Sequence, residues 1–196
     1  MSHASVLAPF VDEAVNFARG KGMTINVVAV SCGPGSYTGL RIGVSLAKGL
    51  CFGWEIPLIA VPTLQVLTMA VLRDPAFSDF LFCPMIDARR MEVYTALYDK
   101  KLRPVKGVSA EIIDRNSFLN ELSERKIVFF GTGAEKCKAV IQHPNAIFLD
   151  DVYPLAKNML PLSEEKFFRN DVENVAYFEP FYLKDFVATT PKKLIP

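Results

Sequence analysis

GPGSYTGLRIGVSLAKGL, residues 33–50, places four glycines in its first eleven positions and then runs into an apolar helical pattern. A glycine loop that opens a helix commonly cradles an anion, because free N–H groups and the positive end of the helix dipole both favour negative charge. The spacing fits neither of the two common cradles. A P-loop needs Lys and then Ser or Thr directly after its last glycine, whereas Leu40 and Arg41 follow Gly39. Gly33, Gly35, Gly39 and Gly43 do not keep the order G-x-G-x-x-G either. Gly39, Gly43 and Ala47 instead recur every four residues, which makes a strip free of large side chains along one helix face. Thr38, Arg41, Ser45 and Lys48 form the polar stripe, and Leu40, Ile42, Val44, Leu46 and Leu50 spread over much of the remaining circumference. Such a helix needs more than one partner surface. Three uses stay open: a central helix of its own domain, a helix packed on a second protein, and an anion site at the loop.

The flanking sequence alternates strand and helix patterns. Leu7, Phe10, Val11, Ala14, Phe17 and Ala18 recur at helical spacing, with Ser2 or Ser5 as the cap and Gly20 as the stop. Apolar runs at 27–30 and 56–61 bracket the glycine segment in a strand-loop-helix-strand unit, and Pro62 opens a further helix to Leu72. The stretches 80–86 and 91–98 predict a hairpin turning at DARR, residues 87–90, and 105–113 adds a third strand. A helix at 116–125, strands at 126–130 and 146–149, a helix from Ala134 and a last helix at 154–169 follow. This predicts an α/β protein divided near 73–78 into a first half (1–75 with part of the tail), a second half (76–176) and a tail (177–196) that packs back on the chain.

Composition narrows the function. With 196 residues, 51% of them hydrophobic, the chain can bury a proper core. A net charge of +1 gives no field that would by itself hold nucleic acid or an anionic membrane. Cys32, Cys51, Cys83 and Cys137 form no C-x-x-C pair, and no run reads as a signal peptide or membrane span, so the expectation is a cytoplasmic protein with reduced thiols.

At this point GPGSYTGLRIGVSLAKGL resembles the signature of the TsaB family, also called YeaZ. The resemblance continues through SHASVLAPFVDEA, IPLIAVPTLQVL, CPMIDARRMEVYTALYD, FFGTGAEKC and PFYLKDFVA, and so spans nearly the whole chain. It implies an actin-like ATPase (ASKHA) fold of two ribonuclease-H-like halves. It implies a non-catalytic subunit required for threonylcarbamoyl (t6A) modification of adenosine 37 in tRNAs reading ANN codons. The subunit acts by binding the catalytic paralogue TsaD, with TsaE reached through the complex, tRNA contacted only indirectly, no membrane partner, and homodimers common. Metal and ATP belong to TsaD, apart from a nucleotide that could sit at the subunit interface. The contact surface it implies is Val6, Leu7, Phe10 and Val11 of the first helix with Leu40, Gly43, Leu46 and Ala47 of the signature helix. The small-residue strip would then set a helix-helix distance across that interface. Gly33, Pro34, Gly35, Ser36, Thr38, Gly39 and Arg41 make the signature loop, read as a sharp strand-to-helix turn more than as a phosphate site. The family also opens with a β-hairpin around a D-T-S turn, whereas this chain opens at the first helix. The expectation is therefore a first sheet short of strands, with an exposed edge and no phosphate loop of its own. An actin-like phosphotransferase is the alternative, and a glycoprotease-type peptidase the weaker one.

The catalytic inventory agrees with a protein that does no chemistry. His3 and His143 stand far apart without metal-ligand spacing, and the cysteines sit in apolar contexts that suit packing. Asp87 ends a strand beside Arg89 and Arg90, where a turn with an arginine salt bridge competes with a cleft-facing role. Gly131 and Gly133 fit either a nucleotide corner of that cleft or a tight turn. Tyr177, Phe178, Phe181, Tyr182 and Phe186, mixed with Lys184, Lys192 and Lys193, read as a tail packed on its own domain more than as a surface stacking on RNA.

Overall fold

Helix α1 (His3–Gly20) leads into β1 (Val28–Ser31), α2 (Tyr37–Trp54), β2 (Leu58–Val61) and α3 (Thr63–Met69). The computed structural model describes residues 3–184. Ser5 lies inside α1 and is not its cap, while Ser2 lies outside the described residues. The helix ends at Gly20, as predicted, and Gly22, at φ +67°, closes it. The Gly22 amide donates to Arg19 O and the Met23 amide to Ala18 O, a Schellman closure that needs a left-handed residue between its two bonds.

A five-stranded sheet follows, built from β3 (Leu81–Asp87), β4 (Glu92–Tyr98), β5 (Pro104–Ile112), β6 (Ile127–Phe130) and β7 (Ala146–Leu149), with α4 (Leu119–Glu124), α5 (Ala134–Lys138) and α6 (Leu160–Phe168) between and after them. Its order is β5-β4-β3-β6-β7, antiparallel from β5 to β3 and parallel from β3 to β7. Strand alternation separates its two cores. Leu81, Cys83, Met85, Ile127 and Phe129 pack with Leu122 of α4 and Cys137 of α5 on one face. Phe82, Val128 and Phe130 pack with Leu64, Leu67 and Val71 on the other. Proline disrupts a central strand because it cannot donate; at Pro84 the β3–β4 register continues unchanged, and the Thr95 hydroxyl donates to the Pro84 carbonyl at 2.9 Å.

The first sheet has two parallel strands, β1 and β2. Val44, Ala47 and Cys51 of α2 cover one face together with Val175 and Phe178 from the C-terminal segment. Val66 of α3 joins Ile59 and Val61 on the other, with Met159 and Leu162. The predicted helix at 154–169 is a 3-10 turn over Ala156–Met159 followed by α6, because Pro161 suits a helix start and not an interior.

Candidate partner interface and cleft

The signature loop is fastened from both sides. Gly33 donates to the Thr63 hydroxyl at 3.0 Å, Thr63 returns its own amide to Gly33 O at 2.9 Å, and that hydroxyl also meets Ser31 Oγ at 2.7 Å. Gly33 sits at φ +119°, and a Cβ there would come within 2.5 Å of the Phe181 carbonyl, so only glycine fits. The Gly33–Pro34 peptide bond is cis, and Gly35 lies in ordinary space beside Leu40. Ser36 caps α2 by accepting from the Gly39 amide, while Thr38 is exposed in the first turn. Arg41 donates to Tyr37 OH at 3.1 Å, and the Tyr37 ring meets Tyr182 at 4.8 Å. The Gly33 and Gly39 amides are thus committed to protein acceptors, which leaves the loop poorly suited to an anion.

The predicted contact residues divide between two surfaces. Leu7, Val11, Leu40, Gly43, Leu46 and Ala47 converge on one apolar cavity of about 650 Å³ between α1, α2 and β1. Ala47 is only 4% exposed, and a Cβ on Gly43 would face Val30 at 3.9 Å. The small-residue strip therefore points at the chain's own sheet, which corrects the expectation that it spaces helices across an interface. Of the remaining two, Val6 is half-buried and Phe10 is 65% exposed. Phe17, seven residues on and hence on the same stripe of α1, is 64% exposed, and Phe52 of α2 is 82% exposed between two glycines with nothing near them, Gly49 and Gly53. Sequence reasoning missed Phe17 and Phe52 as surface residues. Their only sequence signal was apolarity beyond what one helix face can bury, and a helix apolar on most sides does not reveal which side is out.

The cleft residues form a closed network. Asp87 ends β3, donates its amide to the Thr132 hydroxyl at 3.2 Å and takes the Arg89 amide on Oδ1 at 3.1 Å. Its carboxylate is paired with Lys136, which also donates to Glu92 O at 2.7 Å, while Lys184 pairs with the Glu92 carboxylate. Lys136 therefore holds the Asp87 carboxyl below the usual range, with partial burial opposing it. The expected arginine salt bridge is thus replaced by a lysine 49 positions away, and Arg89 and Arg90 instead carry the turn at φ +75° and +48°. Gly131, at φ +102°, would place a Cβ 2.5 Å from Met85 O, and a Cβ on Gly133 would meet Val93 at 2.8 Å. Both glycines serve close packing of strand on turn. His143 accepts the Asn145 amide within its turn, and His3 opens α1. Among the described residues no three His, Cys, Asp or Glu side chains stand together as a metal-binding group, and no helix is long and apolar enough to cross a membrane.

Up to residue 184 the C-terminal segment makes a set of contacts with α2 and β1. Phe178 enters the core beneath α2, Lys48 donates to Ala176 O at 3.2 Å and Phe178 O at 2.9 Å, and the Phe181 amide reaches Cys32 O, while Tyr177 is exposed. Phe186, Lys192 and Lys193 lie outside the described residues.

A family model described as TsaD, tRNA N6-adenosine threonylcarbamoyltransferase, matches residues 1–192. The chain is 30% identical to the tRNA threonylcarbamoyladenosine biosynthesis protein TsaB of Escherichia coli over 192 residues, 95% of this chain and 82% of that protein. It is 28% identical to the protein of the same name from Haemophilus influenzae over 203 residues, 98% of this chain and 84% of that one. Among solved structures, a Pseudomonas aeruginosa protein described as similar to the peptidase YeaZ aligns with a TM-score of 0.78 at 25% identity, over 93% of this chain and 85% of its own. The actin-like fold of two ribonuclease-H-like halves, with two strands of the first half among the described residues, accounts for both the sheet order and this match.

Proposed function

The chain belongs to the TsaB (YeaZ) family, and on that premise we propose that it is a non-catalytic subunit of tRNA threonylcarbamoyladenosine synthesis that binds the catalytic TsaD paralogue. The observation that carries this reading is the outer face of α1 and α2, where Phe10, Phe17 and Phe52 stay largely in water. Three exposed aromatics on two adjacent helices suit a protein-protein contact, since aromatic anchors dominate such interfaces. A paralogue of the same fold, or a second copy of this chain, would meet them with matching helices. In this reading ATP and metal reside with TsaD, tRNA and TsaE are reached through the complex, and the site of action is the cytoplasm. The committed amides of the signature loop and the Lys136-paired Asp87 support a structural use of both sites over a phosphotransferase or peptidase centre.

The test is the yield of threonylcarbamoyladenosine in tRNA from a reconstitution of TsaD, TsaE and the threonylcarbamoyl-adenylate-forming enzyme, with and without this protein. Product that depends on it, and is lost with Phe52→Asp, supports the subunit role. Undiminished product without it refutes that role, provided the same components respond to their own cognate TsaB.

A further inference from the structure

Gly43, Leu46 and Leu50 of α2 turn toward α1, whereas Arg41, Ser45 and Lys48 lie on the opposite stripe and face the C-terminal segment. Helix and segment do not close fully on each other there. Phe178 enters the core and the Tyr182 ring meets Tyr37 at 4.8 Å, and a cavity of about 390 Å³ lies between these two anchor points. Buried Val44 with Phe178 and Pro180 gives it apolar contact, and Arg41, Lys48 and Glu179 give it charge. Lys48 spends two donors on Ala176 O and Phe178 O, at 3.2 and 2.9 Å. Arg41 gives one N–H to the Tyr37 hydroxyl at 3.1 Å, with its guanidinium 5.3 Å from the Tyr37 ring centre. Both cations keep further N–H groups to donate. Among the described residues neither has a carboxylate partner. Two cations and one acid leave the lining with one net positive charge. Burial and the neighbouring Tyr37 raise the Tyr182 phenol, Arg41 opposes the rise and Glu179 adds to it, so both charges act at this ring.

We propose that the seam between α2 and the C-terminal segment binds a small monocarboxylate with an aromatic body. Arg41 selects the carboxylate, because its planar fork matches two oxygens at once. Ser45, exposed one helical turn from Arg41, adds a hydroxyl donor on the same stripe. The lining selects a single charge: one negative charge balances it, whereas a dianion such as phosphate leaves an excess beside Glu179. Tyr37 and Tyr182 select the ring, since aromatic side chains pack on aromatic ligands while a few polar groups orient them. A ligand seated there touches helix and segment together and so fastens one to the other. The site is independent of the subunit reading, which rests on Phe10, Phe17 and Phe52.

The experiment titrates the full chain with benzoate and phenylacetate, beside benzamide as the neutral isostere and inorganic phosphate as the bare anion, and follows backbone amide shifts by NMR. The expected result is saturable binding of a carboxylate with a Kd on the order of 1 mM, as suits a ligand of this size. Benzamide and phosphate should bind at least about tenfold more weakly. The shifts should centre on Arg41, Ser45 and Tyr182. Arg41→Gln should weaken carboxylate binding by about tenfold or more, and Glu179→Gln should strengthen it by roughly two- to fivefold, because it removes the opposing charge. Both side chains are exposed, so both variants should keep the melting temperature of the parent without ligand. The shift map of the parent locates the ligand whatever the variants do. Absence of saturable carboxylate binding overturns the proposal. So does benzamide or phosphate binding as tightly as benzoate, an affinity unchanged in Arg41→Gln, or shifts that leave Arg41, Ser45 and Tyr182 unmoved.

Discussion

The amide of Phe181 donates to Cys32 O at 2.7 Å, and the Phe181 carbonyl in turn lies against the α-carbon of Gly33, so the C-terminal segment is seated on the one residue of the signature loop that cannot carry a side chain. Gly33→Ala therefore has two faults, a Cβ 2.5 Å from a carbonyl oxygen and a φ of +119°. It should lower stability by at least about 2 kcal/mol. Gly35→Ala, whose nearest neighbour would be Leu40 at 3.9 Å, should stay within about 0.5 kcal/mol of the parent. Urea midpoints of the two variants decide it, and equal midpoints would remove the loop's close approach as the reason for glycine.

Phe52 and Phe10 contribute little to the fold and, in the subunit reading, much to association. Phe52→Asp and Phe10→Asp should leave the melting temperature nearly unchanged, since both side chains are already in water. Each should weaken capture of TsaD, or of a second copy, by about tenfold or more, as truncated interface anchors do. Analytical ultracentrifugation of mixtures reads the effect, and undiminished association of the double variant would move the interface elsewhere.

Asp87 supplies a pH dependence with a defined sign. Its carboxyl is held below the usual value of 3.8, chiefly by Lys136, so it contributes stability above that value and the contribution disappears as pH falls through the lower, folded-state value. Because the carboxylate is about half exposed, the pair should be worth no more than about 1 kcal/mol at neutral pH. Lys136→Met should therefore cost up to that amount at pH 7, and the difference from the parent should shrink as pH falls below the usual carboxyl value of 3.8. Denaturant titrations at both pH values test this; a difference that does not shrink would locate the effect in the Lys136 bond to Glu92 O.

Cys32 is the one half-buried thiol, and burial pushes it up to about 11. At pH 8 only about one molecule in a thousand carries its thiolate. Cys51, Cys83 and Cys137 are buried, and burial raises each of them too. Ellman's reagent should react slowly with at most one thiol of the folded chain and rapidly with all four in denaturant. A fast native thiol would show that the β1–α2 layer opens.

The strands were legible in the sequence because their apolar runs are short and end at glycine, proline or polar turns, and β7 (Ala146–Leu149) coincides with its predicted span. The orientation of α2 was not legible. A helix that is apolar on most sides leaves open whether Gly43 and Ala47 or Gly49 and Phe52 face the sheet, and the answer depends on β1, which is near in sequence, and on Phe178, which is not. Asp87 shows the same limit. Its neighbours Arg89 and Arg90 were the obvious counter-ions, yet a tight turn directs them away and brings Lys136 in from α5, a tertiary fact with no local sign.

Lys48 bonds to carbonyls 128 and 130 positions later, Glu173 bridges to Leu58, and Val175 and Phe178 complete the core under α2. The order of synthesis is thereby opposed to the order of assembly. The five-stranded sheet draws on one unbroken stretch, 81–149, and its core can close while translation continues. The β1–β2 layer is made earlier but must wait for residues 173–178 to leave the ribosome, so its apolar surfaces are the ones a nascent chain has to keep from other partners.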